Sequence, residues 1–122
     1  AKLKDLLKCV EDKITLPKPC KNSSPSWFGF LITCREGVER AKVVESVEKA
    51  GIQTRMLFAG NLLRHPCFDE MRNNKEGYRV VGELPVTDRI MKDTFWVGVY
   101  PGMTDAMIEY MAESIINALT KL

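Results

Sequence analysis

Apolar positions follow two rhythms along the chain. Leu3, Leu6, Leu7 and Val10 stand at i, i+3, i+4 and i+7, with Lys2, Lys4, Asp5, Lys8, Glu11 and Asp12 on the other side. That spacing predicts an amphipathic helix over 1–13. No capping residue precedes it, so it reads as the end of a longer connecting helix. Leu16 to Ser26 (LPKPCKNSSPS) is rich in proline and serine and predicts a loop. Trp27 to Cys34 (WFGFLITC) is aromatic and β-branched, which predicts a strand. Being apolar on both faces, it is expected to be central and covered on both sides. Gly29 inside it marks either a close approach by another group or a bulge.

The helical rhythm returns over 38–50, with Val38, Ala41, Val44, Val47 and Ala50 on one side and Gly51 as the residue that ends it. Ile52 to Phe58 predicts a second strand, followed by a turn at Gly60-Asn61. Pro66 opens a short helix to Arg72, and Asn73 to Gly77 is a polar turn. Tyr78 to Leu84 fits a strand or a docked loop. Pro85 to Lys92 predicts a short helix with Ile90 and Met91 inward. Thr94 to Tyr100 (TFWVGVY) is the third strand. Thr104 caps the last helix, with Asp105 in its first turn and Met107, Ile108, Met111, Ile115 and Leu119 as its apolar stripe. The order of elements implies an α+β fold. A mainly antiparallel sheet of about three strands is covered by helices on one side, and its other face is free for a larger domain. Residues 1–15 then form the end of the connecting helix, and residues 16–122 the small domain.

Composition narrows the function. The chain of 122 residues is one domain's worth, with a net charge of +2 from 18 basic and 16 acidic side chains. The charges are interspersed, which argues against a nucleic-acid or membrane-surface partner. No apolar run reaches the ~18 residues of a membrane span. Cys9, Cys20, Cys34 and Cys67 match no Cys-x-x-Cys metal pattern. Reduced thiols in a cytoplasmic protein are the first expectation, and two disulfides the alternative. The single histidine, His65, has no serine-triad signature beside it, and no glycine-rich phosphate loop opens a helix. The lysines sit on solvated faces or loops, so none stands out as a Schiff-base residue. No catalytic residue and no metal ligand is assigned within this chain.

The densest mixture of chemistry is Gly51 to Phe68 (GIQTRMLFAGNLLRHPCF). Arg55 and Arg64 flank an apolar turn, an arrangement suited to an anionic or hydroxylated ligand. The alternative is a tight loop whose arginines face water.

The order Gly-Ile-x-Thr-Arg-x-x-Phe, a turn, then Leu-x-x-His-Pro-x-Phe resembles the C-terminal domain of the DegT/DnrJ/EryC1/StrS family, vitamin-B6-dependent nucleotide-sugar aminotransferases and dehydrases with the aspartate aminotransferase fold (fold type I). Ser26-Trp27-Phe28-Gly29, Thr54-Arg55 to Pro66, and Leu84 to Thr104 (LPVTDRIMKDTFWVGVYPGMT) resemble, in that order, the branch of CDP-4-keto-6-deoxyglucose 3-dehydrases of O-antigen lipopolysaccharide synthesis. Leu57 and Leu63 stand where the aminotransferase branch commonly has histidines, and His65 where it has glutamine. The resemblance implies removal of a sugar C3 hydroxyl by a homodimeric enzyme. It implies pyridoxamine or pyridoxal 5'-phosphate and a [2Fe-2S] cluster held outside this chain, and a reductase as electron donor. This chain, inactive alone, would then be one wall of the cleft against its own large N-terminal domain. Candidate contacts to the nucleotide-sugar are Ser26, Trp27, Phe28, Arg55, Asn61, Arg64, His65 and Arg89. The competing readings are the small domain of a nucleotide-sugar aminotransferase and a non-catalytic binding module.

Overall fold

In the computed structural model, which describes residues 2–121, the helix α1 (Lys2–Leu6) runs into a tighter 3-10 turn at Leu7–Val10. Leu3, Leu7 and Val10 turn inward, as their spacing predicts. The regular helix is shorter than the expected 1–13, and the chain then enters a strand the sequence did not announce, β1 (Ile14–Thr15). Two residues are too few to show a period-2 alternation. The sheet therefore has four strands rather than three, in the order β1-β2-β4-β3, with β2 at Gly29–Cys34, β3 at Thr54–Met56 and β4 at Thr94–Gly98. Each neighbouring pair is antiparallel.

Alternation along a strand divides the sheet into two unlike faces. Phe30, Ile32 and Cys34 of β2 and Phe95 and Val97 of β4 belong to the core. They share it with Val43 and Val47 of α2 (Arg40–Lys49) and with Met111, Ala112, Ile115, Ala118 and Leu119 of α5 (Asp105–Thr120). On the other face, Leu31, Thr33 and Trp96 are only half-buried. The expectation that β2 is covered on both sides is thus corrected: helices cover one face, and the apolar residues of the second face lack an equivalent cover. Helical stripes shift in the same way. Val43 is fully buried while Ala41 is exposed, and Met107 is exposed while Ala112 and Ala118 are inside.

Ends of elements follow local chemistry. Gly51, with φ +81°, lets the chain leave α2 while its N–H and that of Ile52 donate to the carbonyls of Glu48 and Val47. Thr104 Oγ1 accepts from the Met107 N–H at 3.3 Å and caps α5. The strand expected over 52–58 is cut to Thr54–Met56, because Phe58 adopts φ +48° and turns the chain away. After it come 3-10 turns at Leu62–Arg64 and Pro66–Phe68, then α3 (Asp69–Asn74), an irregular segment over 78–84, and α4 (Pro85–Asp93).

Candidate functional site

The sequence-predicted contact residues fall into separate places. Arg55 and Phe28 meet in one groove. Its remaining lining includes Gln53, Trp96, Tyr100, Met107 and Tyr110. It runs from the open face of the sheet round the ends of β3 and β4 to the first turns of α5, and encloses about 630 Å³. Volumes of that order accommodate small organic ligands. Ser26 and Trp27 line a neighbouring depression that shares Val99, Tyr100 and Met103 with the groove.

The groove owes its shape to cross-strand pairing. Leu31, Trp96 and Arg55 face one another across β2, β4 and β3. Trp96 is held at three points. Its Nε1–H donates to the Met56 carbonyl at 3.2 Å. Phe28 packs edge-on against it, with ring centroids 5.7 Å apart. Beneath it lies Gly29, where a Cβ would come within 2.8 Å of Trp96 Cε3. Gly29 is thus a seat for an aromatic ring, the close approach the sequence allowed for. Arg55 is positioned by its own strand, donating from a terminal guanidinium nitrogen to the Thr54 carbonyl at 3.2 Å. With the Gln53 amide turned so that its oxygen faces Arg55, both terminal nitrogens reach that oxygen at 2.9–3.0 Å. Arg55 has no carboxylate partner among the described residues. It is the sole charged side chain among the groove's lining residues.

Asn61, Arg64 and His65 lie elsewhere and are engaged within the chain. Asp88 of α4 accepts from Arg64 Nε at 3.1 Å and from its terminal nitrogen at 2.7 Å, and from Asn61 Nδ2 at 2.7 Å. The Arg64 guanidinium, helped by the Asn61 amide, lowers the Asp88 carboxyl from its ordinary 3.8 to about 2. Asn61, almost fully buried, also accepts from the Leu63 N–H at 3.0 Å through its own side-chain oxygen. The Asn61 and Arg64 side chains thus tie the turn to α4. The His65 ring bonds the Ala59 carbonyl across the same turn. Arg89 is exposed and lines a different cleft with Arg35, Arg40, Lys92, Glu36, Glu39 and Asp93. That cleft mixes both signs of charge, whereas the aromatic groove carries only Arg55.

Trp96, Tyr100, Tyr110 and Asp88 were not singled out from the sequence. A signal existed for Trp96 in the alternation of β4, since it sits between the inward Phe95 and Val97.

All four cysteines are free, so the two-disulfide alternative does not hold. Burial pushes the Cys34 thiol up to about 11. Among the described residues no three His, Cys, Asp or Glu side chains gather as a metal site, so these residues do not fit an iron–sulfur cluster. Lys2, Lys8 and Lys42 are held above the ordinary lysine value by carboxylates. That is opposite to the shift an imine-forming lysine needs. No helix among the described residues is long and apolar enough to cross a membrane.

Residues 1–116 match the DegT/DnrJ/EryC1/StrS aminotransferase family. The chain belongs to that family. It is 48% identical over 111 residues to the lipopolysaccharide biosynthesis protein RfbH of Salmonella typhimurium, covering 89% of this chain and 24% of that protein. It is 46% identical over 110 residues to a dTDP-4-dehydro-2,6-dideoxy-D-glucose 3-dehydratase of Saccharopolyspora spinosa, covering 88% of this chain and 23% of that protein. The chain therefore spans about a quarter of the length of these relatives. A solved structure of the E. coli GDP-4-keto-6-deoxy-D-mannose-3-dehydratase with bound hydrated PLP superposes with a TM-score of 0.70 at 23% identity, over 92% of this chain and 28% of that one. The fold of that enzyme's matched portion is thus the fold seen here, the fold-type I aminotransferase-like architecture expected from the sequence.

Proposed function

We propose that this chain is the small C-terminal domain of a vitamin-B6-dependent nucleotide-sugar 3-dehydrase, acting on CDP-4-keto-6-deoxyglucose in O-antigen lipopolysaccharide synthesis. Residues 1–15 join it to a large domain. That domain holds pyridoxamine or pyridoxal 5'-phosphate and a [2Fe-2S] cluster, and a reductase supplies electrons to a cytoplasmic homodimer. The observation that carries this reading is the 46–48% identity to RfbH and to a 3-dehydratase over nearly the whole chain. Leu57 and Leu63, in place of the histidines common in aminotransferases, favour the dehydrase branch.

In this reading the chain contributes binding and no acid, base or nucleophile. Arg55, which has no carboxylate partner among the described residues, offers its guanidinium to the substrate's phosphates, and Phe28, Trp27 and Ser26 extend the wall beside it. Asn61 and Arg64 hold the adjoining turn in place through Asp88. Arg55→Ala in the full-length enzyme is expected to lower kcat/KM about tenfold to a hundredfold, the worth of one charge-assisted contact. Arg89→Ala is expected to leave it near parental. Steady-state kinetics on the two variants test this, and a reversed order would move the substrate to the cleft at Arg89. An isolated chain that converts the nucleotide-sugar by itself would overturn the proposal of a dependent domain.

A further inference from the structure

We propose that Trp96, seated on Gly29, is the platform on which the sugar ring of the substrate packs, and that it selects 6-deoxy sugars. The inference rests on the nucleotide-sugar reading above. The indole is half-buried in a groove where Phe28, Tyr100 and Tyr110 meet Arg55, an arginine without a carboxylate partner among the described residues. It is also preorganised. The Met56 carbonyl fixes its nitrogen, the Phe28 ring packs against it at a steep angle, and the missing Cβ of Gly29 leaves room for the ring over β2. A ring held this way loses little conformational freedom on binding, which favours its use as a contact surface.

The occupant follows from the chemistry. Arg55 faces Trp96 across the β3–β4 pair, so a ligand on the indole lies beside the guanidinium. A pyranose presents an apolar face of C–H bonds, and in a 6-deoxy sugar a methyl group enlarges it. The diphosphate attached to the sugar is the anion that Arg55 lacks. Gln53, beside Arg55, offers an amide to a ring hydroxyl. The 3-dehydratase relative and the E. coli structural neighbour both carry 6-deoxy sugars in their substrates' names.

The test compares the parental full-length enzyme with Trp96→Phe, Trp96→Ala and Gly29→Ala, each first shown to melt with the parental transition. Substrates are the CDP-4-keto-6-deoxyhexose and its 6-hydroxy analogue. Gly29→Ala pushes a Cβ into the indole and Trp96→Ala removes it. Both are expected to raise KM for the 6-deoxy substrate about tenfold with a smaller change in kcat, and to narrow the preference over the 6-hydroxy analogue. Trp96→Phe keeps a flat ring without the Met56 hydrogen bond and is expected to fall between. Unchanged KM and unchanged preference in folded Gly29→Ala and Trp96→Ala would overturn the platform and leave the dehydrase reading standing. If the parent converts neither substrate, the dehydrase reading fails instead. Calorimetric titration of the CDP-sugar into parent and Gly29→Ala then decides the platform. Weaker binding by the variant supports it, and equal binding or none to either protein overturns it.

Discussion

The helix-backed sheet and the arm that follows β3 are built on different terms. In the first, Leu7, Ile14, Ile32, Val43, Val47, Phe95, Val97 and Ile115 are wholly removed from water, and the hydrophobic effect holds the elements together. In the second, 57–93, the two 3-10 turns, α3 and α4 bury no residue fully. Phe58, Leu62, Val80, Val81 and Val86 are exposed there. Polar contacts knit the arm together instead, Arg64 and Asn61 on Asp88 and Arg72 on Asp69, and the Arg40 guanidinium of α2 ties it to the sheet unit through the Met91 carbonyl at 2.6 Å. Gly60 lies so close to Met91 that a Cβ would come within 2.5 Å of its Cγ. Apolar burial makes a structure cooperative, whereas solvent-exposed ion pairs contribute little each. One short chain thus contains a global folding unit and an appendage that can open locally.

The largest way to break this contrast is to hollow the core. Phe95→Ala removes a ring with no exposed surface and is expected to destabilise the whole chain by about 3–5 kcal/mol. A denaturant titration checks this. Loss confined to the arm would mean that the two regions are not divided as described.

Thiol labelling sharpens the contrast with no substitution. Cys67, in the turn before α3, is exposed, while Cys34 is buried in β2 with its thiol pushed up to about 11. At pH 8 Cys67 is expected to react at once with an alkylating reagent, and Cys34 only at the rate of global unfolding. Mass spectrometry of the labelled peptides distinguishes the two.

The smallest expected effect is that of the clamp. Asp88→Asn leaves Arg64 without its charged partner and is expected to speed amide exchange across 57–65 and α4, with little change in the global transition. Acid acts on the same group. The Asp88 pKa is depressed on folding, so its contribution is present above the ordinary 3.8 and is lost as pH falls through about 2. Local exchange should therefore quicken between those values in the parent and not in Asp88→Asn. Equal behaviour of the two proteins would remove Asp88 as the fastening.

Most of the folding unit was legible because its signals are local. The α2 and α5 helices carry a 3.6-residue rhythm with a glycine stop or a threonine cap, and β2 and β4 are aromatic and β-branched runs. Inward faces were less legible. Val43 is central to the core and Ala41 is outside, although both fit a helical stripe. The candidate groove was half legible. Arg55 and Phe28 were marked by residue type and family resemblance, but Trp96 and Tyr110 lie 41 and 55 positions beyond Arg55 in sequence. Arg64 read as a ligand contact because it and Arg55 flank an apolar turn, while its partner Asp88 is 24 residues away.

The sequence by itself determined the α+β class, the order of the main elements and the family, because periodicity, caps and motifs are properties of neighbouring residues. Only the tertiary structure decided that Arg64 is spent on an ion pair with Asp88 while Arg55 meets no carboxylate among the described residues. It also decided which sheet face is covered, and that Gly29 is the seat of an indole. Those outcomes depend on strand register and on contacts between residues far apart in the chain, where pairing and exclusion from water are settled.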